Sequence, residues 1–592
     1  MKPLMHILPY LRRYRGGIAV GLLMVVLANA FHVLSPWLLG RAIDALGEPG
    51  AGRRTLGVYA ALIVGTAVLG GAARFGMRQI LNTLSRRVEV DLRDDFFAHL
   101  VRLDAPFYGA TRTGDLMSRA TNDTQAVRMA IGPGIMYLVN TFAMTALALF
   151  FMFRYSVSLT LVSLIPLLAL PPAMLHFGRV IHRRFERIQE HLGHLSTMVQ
   201  ENLSGVRIVR AYRQEESQQA EFEELNAQYL EKNMDLARTS ALFHPLMQVF
   251  TGLGMLAVLW VGGLQVMAGT ITAGDFVAFG FYLVMLTWPM VALGWVINLF
   301  QRGAASMARI NRIMAARPQV PEPAHPRALE RTRGEVEFRN VSFRYPGTER
   351  WVLRDVCFRI PAGSTAALVG PTAAGKSTVV HLLTRRYDPT EGQVLLDGVP
   401  LDELSFATVR AAVGVVPQDA FVFSDTIAAN VGLGLDGGPE DRLRVEEAVR
   451  IARLDEAIAS FPRGLETRLG ERGVNLSGGQ RQRATLARAL AMDPPILILD
   501  DALSAVDTHT ETEILRGLRT VMAERTALIV SHRVSAVMGT DLILVLDEGR
   551  VVERGVHTDL IRAGGLYATL LRRQLLAEGL EEEPLAGASD RT

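Results

Sequence analysis

Hydrophobic and polar positions along the 592-residue chain follow two different rhythms. From Gly16 to about Phe300 the apolar residues come in long runs. Beyond about Pro318 they alternate with polar residues in short strand-like and helix-like segments, parted by glycine-rich turns. Six runs are long enough to cross a bilayer, which takes roughly 20 helical residues. They are Gly16–Ala42, Leu56–Ile80, Gly134–Phe153, Val157–Val180, Leu246–Met267 and Phe276–Phe300. Pro36, Pro166, Pro171, Pro172 and Pro289 inside them predict kinks that neighbouring membrane helices can accommodate. Ala315 to Arg333, rich in proline and charge, predicts a tether. The expected division is a membrane domain over 16–304, a linker over 305–335, an α/β domain over 336–571 and a tail over 572–592. The tail is acidic, with Glu581-Glu582-Glu583 inside Glu578–Thr592, and is expected to stay unstructured.

The connections between the runs are unequal. Those after the second and fourth run to roughly 55 and 65 residues and read as basic, amphipathic helix. Arg86, Arg87, Arg93, Arg102, Arg112, Arg119 and Arg128 crowd the first; Arg179, Arg183, Arg184, Arg187, Arg207, Arg210 and Arg213 crowd the second. With Lys2, Arg12, Arg13 and Arg15, the positive-inside rule assigns both termini and both long connections to the cytoplasm. Arms of this length at 1.5 Å per residue reach tens of ångströms past the membrane, where a second domain must receive them.

Composition agrees with a membrane protein: 49% of residues are hydrophobic, 20% are charged and the mean hydropathy is positive. A net charge of +3 gives no reason to expect nucleic acid as a partner. The single cysteine, Cys357, excludes an internal disulfide, and the alternating stretch Val352–Ile360 predicts that it is a buried strand residue. The opening Met1-Lys2-Pro3-Leu4 shows no small-residue cleavage site, so the first apolar run is expected to remain in the membrane.

The sharpest chemistry is Gly370-Pro371-Thr372-Ala373-Ala374-Gly375-Lys376-Ser377, followed by Thr378. It lies between an apolar strand, Thr365–Val369, and a predicted helix, the setting a phosphate-binding loop needs. Backbone N–H groups at the helix start cradle phosphates, the Lys376 ammonium neutralises them, and the Ser377 hydroxyl can ligate magnesium. Pro495-Ile496-Leu497-Ile498-Leu499-Asp500 is an apolar strand ending in a carboxylate, suited to hold Mg²⁺ beside those phosphates. Leu476-Ser477-Gly478-Gly479-Gln480 caps a further helix and leaves backbone donors for an anion with nothing local to bind.

These motifs, in this order, resemble the ATP-binding-cassette (ABC) exporters over about Met5 to Leu571. The resemblance implies a multi-domain membrane protein with the type IV exporter fold: an all-α six-helix transmembrane domain followed by an α/β P-loop ATPase. It implies ATP and Mg²⁺ as ligands and two cassettes sandwiching two nucleotides, with Ser477, Gly478, Gly479 and Gln480 serving the partner's ATP. By the same resemblance Tyr345 stacks on adenine, Gln418 reaches magnesium and the attacking water, His532 contacts the γ-phosphate, and Asp507 bridges the two sites. Thr467–Gly473 resembles the exporter loop that touches the cytoplasmic arms. Arg112–Arg119, with Asn122-Asp123, and Gly205–Tyr212 resemble the segments around the family's coupling helices.

The chain departs from the family after Asp500. The general base there is expected to be glutamate, and this sequence has Asp501. One methylene fewer sets the carboxylate about an ångström short of the water, a misplacement that can cost on the order of 10²-fold in rate. Ala373 also stands where many members have glycine, and its methyl predicts strain in a tight loop. Because Ser477–Gln480 is intact, the simplest expectation is a heterodimer in which this chain holds the slow site and completes a competent one. It then resembles the degenerate-site subunits of bacterial heterodimeric multidrug exporters in the inner membrane. A homodimer hydrolysing slowly through Asp501 and an ATP-gated channel stay open as alternatives. Asn29, His32, Asn140, Gln248, Trp288, Trp295 and Asn298 are polar or aromatic within apolar runs. They either line a cavity for amphiphilic cargo or hydrogen-bond between helices, in contact with membrane lipid.

Overall fold

The computed structural model describes residues 2–48, 52–329, 331–470, 473–503 and 508–581. They form two compact units, residues 1–102 with 112–316, and residues 103–111 with 317–592.

The first unit is helical. Its long elements are α1 (Arg15–Leu46), α2 (Arg53–Val101), α3 (Ile135–Tyr155), α4 (Val157–Leu168), α5 (Leu170–Ser204), α6 (Glu215–Ala257) and α7 (Ala273–Met314). Among the described residues, six helical stretches are long and apolar enough to cross a membrane, matching the six predicted runs. The amphipathic connections are continuations of the same helices: α2 has 49 residues, and the third stretch is helical from Thr113 to Tyr155. Its π-helical turn at Ala130–Gly134 contains Pro133, a residue that cannot donate to the ordinary ladder. The fourth stretch breaks at Ala169, just after Pro166, and restarts with Pro172 in its first turn.

Small residues let α1 and α2 approach closely. A methyl on Gly21 would meet Leu81 at 2.5 Å, and one on Gly17 would meet Leu84 at 2.9 Å. Two polar groups buried between helices are paired: Asn29 donates to Asn140 Oδ1 (3.0 Å), and the Tyr282 hydroxyl donates to the Val33 carbonyl (2.8 Å).

Among the described residues of the second unit, ten strands form two sheets. An antiparallel sheet in the order β2-β1-β4-β5 comprises β1 (Val336–Phe343), β2 (Leu353–Ile360), β4 (Glu391–Leu396) and β5 (Val399–Pro400). The other, in the order β10-β9-β3-β8-β7-β6, contains β3 (Thr365–Val369), β6 (Val413–Val416), β7 (Ile496–Asp500), β8 (Thr526–Val530), β9 (Leu542–Asp547) and β10 (Arg550–Gly555). Pairings from β6 to β9 are parallel. Near-continuous apolar strands suit a sheet buried on both faces. Ile496 and Ile498 of β7 join the core on one side, while Leu497 and Leu499 join the core on the other.

Three expectations change. Cys357 lies on β2 as predicted but is exposed. Asp355 takes a left-handed conformation (φ +50°), which shifts the alternation so that Val356 and Phe358 turn inward and Cys357 outward. Residues 305–314, assigned to the linker, are the last turns of α7. Residues 572–581, assigned to the unstructured tail, continue the final helix Leu566–Glu581; the remaining 582–592 lie outside the described residues. The linker is also tied down rather than loose. The Asp104 carboxylate accepts from the Gln319 and Val320 amides, and Pro321 O accepts from the buried Arg385 at 2.9 Å.

Candidate functional site: a phosphate loop at the edge of the parallel sheet

The site forms where β3 and β7, with β8 between them, end at the carboxyl edge of the sheet, the edge at which parallel α/β sheets bind ligands. After β3 the chain turns through Gly370 (φ +154°), where a methyl would meet Leu546 O at 2.1 Å. It then enters the helix Lys376–Leu383 from Gly375 (φ +103°). Only glycine suits both positions. Ala373 takes φ +64°, a conformation that strains an L-residue with a side chain.

Lys376 Nζ donates to the carbonyls of Gly370 and Pro371, both at 2.8 Å, so the ammonium is held within the loop. Burial pushes its pKa down, opposed by the charges of Asp501 and Asp500. Ser377 Oγ donates to Asp500 Oδ1 at 3.4 Å. Asp500 ends β7 buried; burial pushes its pKa up, and Ser377 pulls it down. A hydroxyl and a carboxylate side by side, with lysine and backbone donors opposite, form an oxygen donor set suited to a hard divalent cation bridging to phosphate.

Beyond Asp500, Asp501 has φ +50°, and its amide donates to Val530 O at 2.8 Å. Both its carboxylate oxygens face His532 Nδ1, at 2.9 and 3.0 Å. The aspartate side chain is 17% exposed and the histidine 53%.

A cavity of about 970 Å³ brings together Pro371 through Thr378 with Gln418, Asp500, Asp501 and His532. Other predicted residues lie elsewhere. Tyr345 is half-buried beside the phosphate-loop helix, where its hydroxyl meets Thr378 Oγ1 (3.0 Å) and His381 Nδ1 (3.2 Å). Its ring packs edge-on against Phe343 and Tyr387, and it borders a neighbouring cavity. Ser477 and Gln480 make a reciprocal cap at the start of the helix Gly478–Ala491: Gln480 N donates to Ser477 Oγ, and Ser477 N to Gln480 Oε1. This segment does not line the cavity. Asp507, and Glu471 and Arg472 of the exporter loop, lie outside the described residues. Arg350, Trp351 and Arg550 line the cavity without having been singled out. The signal available for Trp351 was a bulky aromatic directly before the alternation of β2.

In the membrane unit, Asn29, His32, Asn140 and Trp288 border one cavity of about 330 Å³. Trp295 packs edge-on against Tyr137 of the same cavity, with centroids 4.9 Å apart. Gln248 and Asn298 do not line it.

Two family descriptions match: "ABC transporter transmembrane region" over residues 18–290 and "ABC transporter" over residues 353–504. The chain is 39% identical to the probable multidrug resistance ABC transporter ATP-binding/permease protein YheI of Bacillus subtilis, covering 97% of each. It is 36% identical to the multidrug resistance-like ATP-binding protein MdlA of Escherichia coli, covering 97% of this chain and 96% of that one. Identity to the ATP-dependent lipid A-core flippase of Photobacterium profundum is 32%, over 96% and 97%. The solved structure of a bacterial Atm1-family ABC exporter with ATP bound superposes with a TM-score of 0.77 at 30% identity, covering 95% of this chain and 99% of that one. The chain belongs to the ABC transporter family: it is an exporter half-transporter, a multi-pass membrane domain fused to the ATPase that powers it.

Proposed function

We propose that this chain is the slow-site subunit of a heterodimeric exporter that moves amphiphilic molecules across the bacterial inner membrane. The observation that carries the proposal is Asp501. The residue in the place of the general base is an aspartate, and both its oxygens are engaged by His532. A carboxylate shortened and turned toward its neighbour is poorly placed to take a proton from a water in line with the γ-phosphate.

Binding is separable from hydrolysis at this site. The phosphate-loop amides and Lys376 hold the nucleotide's phosphates, and Tyr345 swings from its contacts with Thr378 and His381 to stack on the base. Ser377, Asp500 and Gln418 would hold Mg²⁺, which neutralises charge on the phosphate oxygens. His532 donates to the γ-phosphate once released from Asp501. Ser477 to Gln480 present capped helix N–H groups to the ATP held by the other subunit, and Asp507 connects the two sites. This chain thus completes a competent site while turning over slowly at its own. Curated relatives named for multidrug resistance and for lipid A-core flipping support amphiphilic cargo, bilayer lipid being the medium from which it enters.

The chain purified alone and freed of other ATPases is expected to bind ATP yet hydrolyse it about 10²-fold more slowly than the assembled transporter. Equal turnover per site from a pure homodimer overturns the heterodimer reading in favour of a homodimer working through Asp501.

A further inference from the structure

The membrane cavity holds two charges that its polar lining does not explain. Arg74 and Arg78, one turn apart on α2, both border it, beside Asn29, His32 and Asn140. No carboxylate lines the cavity among the described residues, and no ion pair there engages either arginine.

Their depth follows from helix packing. On α2, Gly76 faces Met24 and Gly70 faces Phe31, so Arg74 lies level with the stretch of α1 between these residues. At 1.5 Å per residue that stretch is roughly 14–24 Å from Arg15, the end the basic cluster assigns to the cytoplasm. Arg74 is therefore well inside a hydrocarbon layer about 30 Å thick. Arg74 Nε donates to Gly70 O at 3.4 Å, one turn back along α2. A guanidinium at this depth needs water or an anion, and intramembrane cations facing a cavity mark substrate paths.

We infer that Arg74 and Arg78 form the headgroup subsite for an anionic amphiphile, a molecule with a phosphate-like or carboxylate head on an apolar body. Asn29, Asn140 and His32 supply further hydrogen bonds to the head, and Met77, Met144 and Trp288 line the space for the apolar portion. This rests on the export reading above and narrows it from amphiphiles in general to those bearing negative charge.

The test uses the full transporter, this chain with its partner subunit, in two arms. In detergent, equilibrium binding of dansyl-labelled phosphatidylglycerol is compared with that of dansyl-labelled phosphatidylcholine. In proteoliposomes, ATP-dependent movement of the same two probes and of a lipophilic cation is followed. Wild type is expected to bind the anionic probe more tightly. Arg74→Gln and Arg78→Gln each weaken that binding by about tenfold, the worth of one charge-assisted contact. Arg74→Lys retains part of it, and basal ATPase and transport of the cation stay unchanged in every variant. Equal binding of the two lipids by wild type, or undiminished anionic binding in the double Gln variant, overturns the inference. If the anionic probe binds as described but no probe of any charge is transported, the export reading fails while the subsite stands.

Discussion

Asp123 pairs with Arg309 where a short π-helical turn, Arg119–Asp123, meets the C-terminal part of α7, and removing that carboxylate should loosen the membrane unit measurably. Arg309 Nε donates to Asp123 Oδ2 at 3.0 Å, and its Nη2 donates both to Oδ1 and to Ser306 Oγ (3.0 Å). Arg119 adds a contact at 3.4 Å. Asp123 is 4% exposed, whereas the Arg309 side chain is 40% exposed. Two charge-assisted bonds to a fully buried partner would cost about 3–6 kcal/mol to lose, but water reaches Arg309, so Asp123→Ala is set at about 2 kcal/mol. At roughly 2–4 °C per kcal/mol for a unit of this size, the melting transition in detergent falls by about 4–8 °C. The double variant Asp123→Ala with Arg309→Ala should melt close to the worse single variant, because each substitution already removes the shared interaction. A melting point for Asp123→Ala within about 1 °C of wild type, or fully additive losses in the double variant, would refute the clamp.

Ala373→Gly releases a left-handed residue from its side-chain penalty and is expected to stabilise the cassette by about 1 kcal/mol, read as a higher midpoint for its unfolding transition; a lower midpoint contradicts strain at that position. Burial depresses the pKa of Lys376 in the free site, and phosphate oxygens on the ammonium must raise it again. ATP binding is therefore linked to proton uptake in the alkaline range: affinity is full below the depressed pKa and is lost as pH rises through it. Calorimetric titration in alkaline buffers of different ionisation enthalpy should register that uptake, and Lys376→Ala should abolish it together with most of the affinity.

Much of this molecule is legible in its sequence because the two rhythms have direct physical causes. A bilayer demands apolar runs of near-constant length, so all six spans are found. A parallel sheet buried on both faces demands continuous apolar strands, so the strands before Gly370 and at Ile496–Asp500 are equally plain. The phosphate loop announces itself through two glycines that no other residue can replace. What escapes is whatever depends on a local irregularity or on distant partners. The turn at Asp355 reverses the phase of β2 and exposes Cys357, and no composition rule foresees it. Tyr345 rests against Thr378 and His381 rather than over the phosphate cavity, a choice set by hydrogen-bond partners more than 30 positions away. Arg74 and Arg78 stand in plain view in the second apolar run, but their meaning depends on the depth that α1 packing assigns them.

On the proposed function, the chain's own ATP site is slow because of a single methylene. ATPase turnover of the chain purified alone, compared with that of Asp501→Glu at saturating ATP, addresses it most directly. The expected result is a rise on the order of 10²-fold, with ATP affinity little changed, because the longer carboxylate reaches the water while the phosphate loop is untouched. Turnover that stays at the wild-type level would contradict it, showing that the reach of residue 501 does not limit hydrolysis.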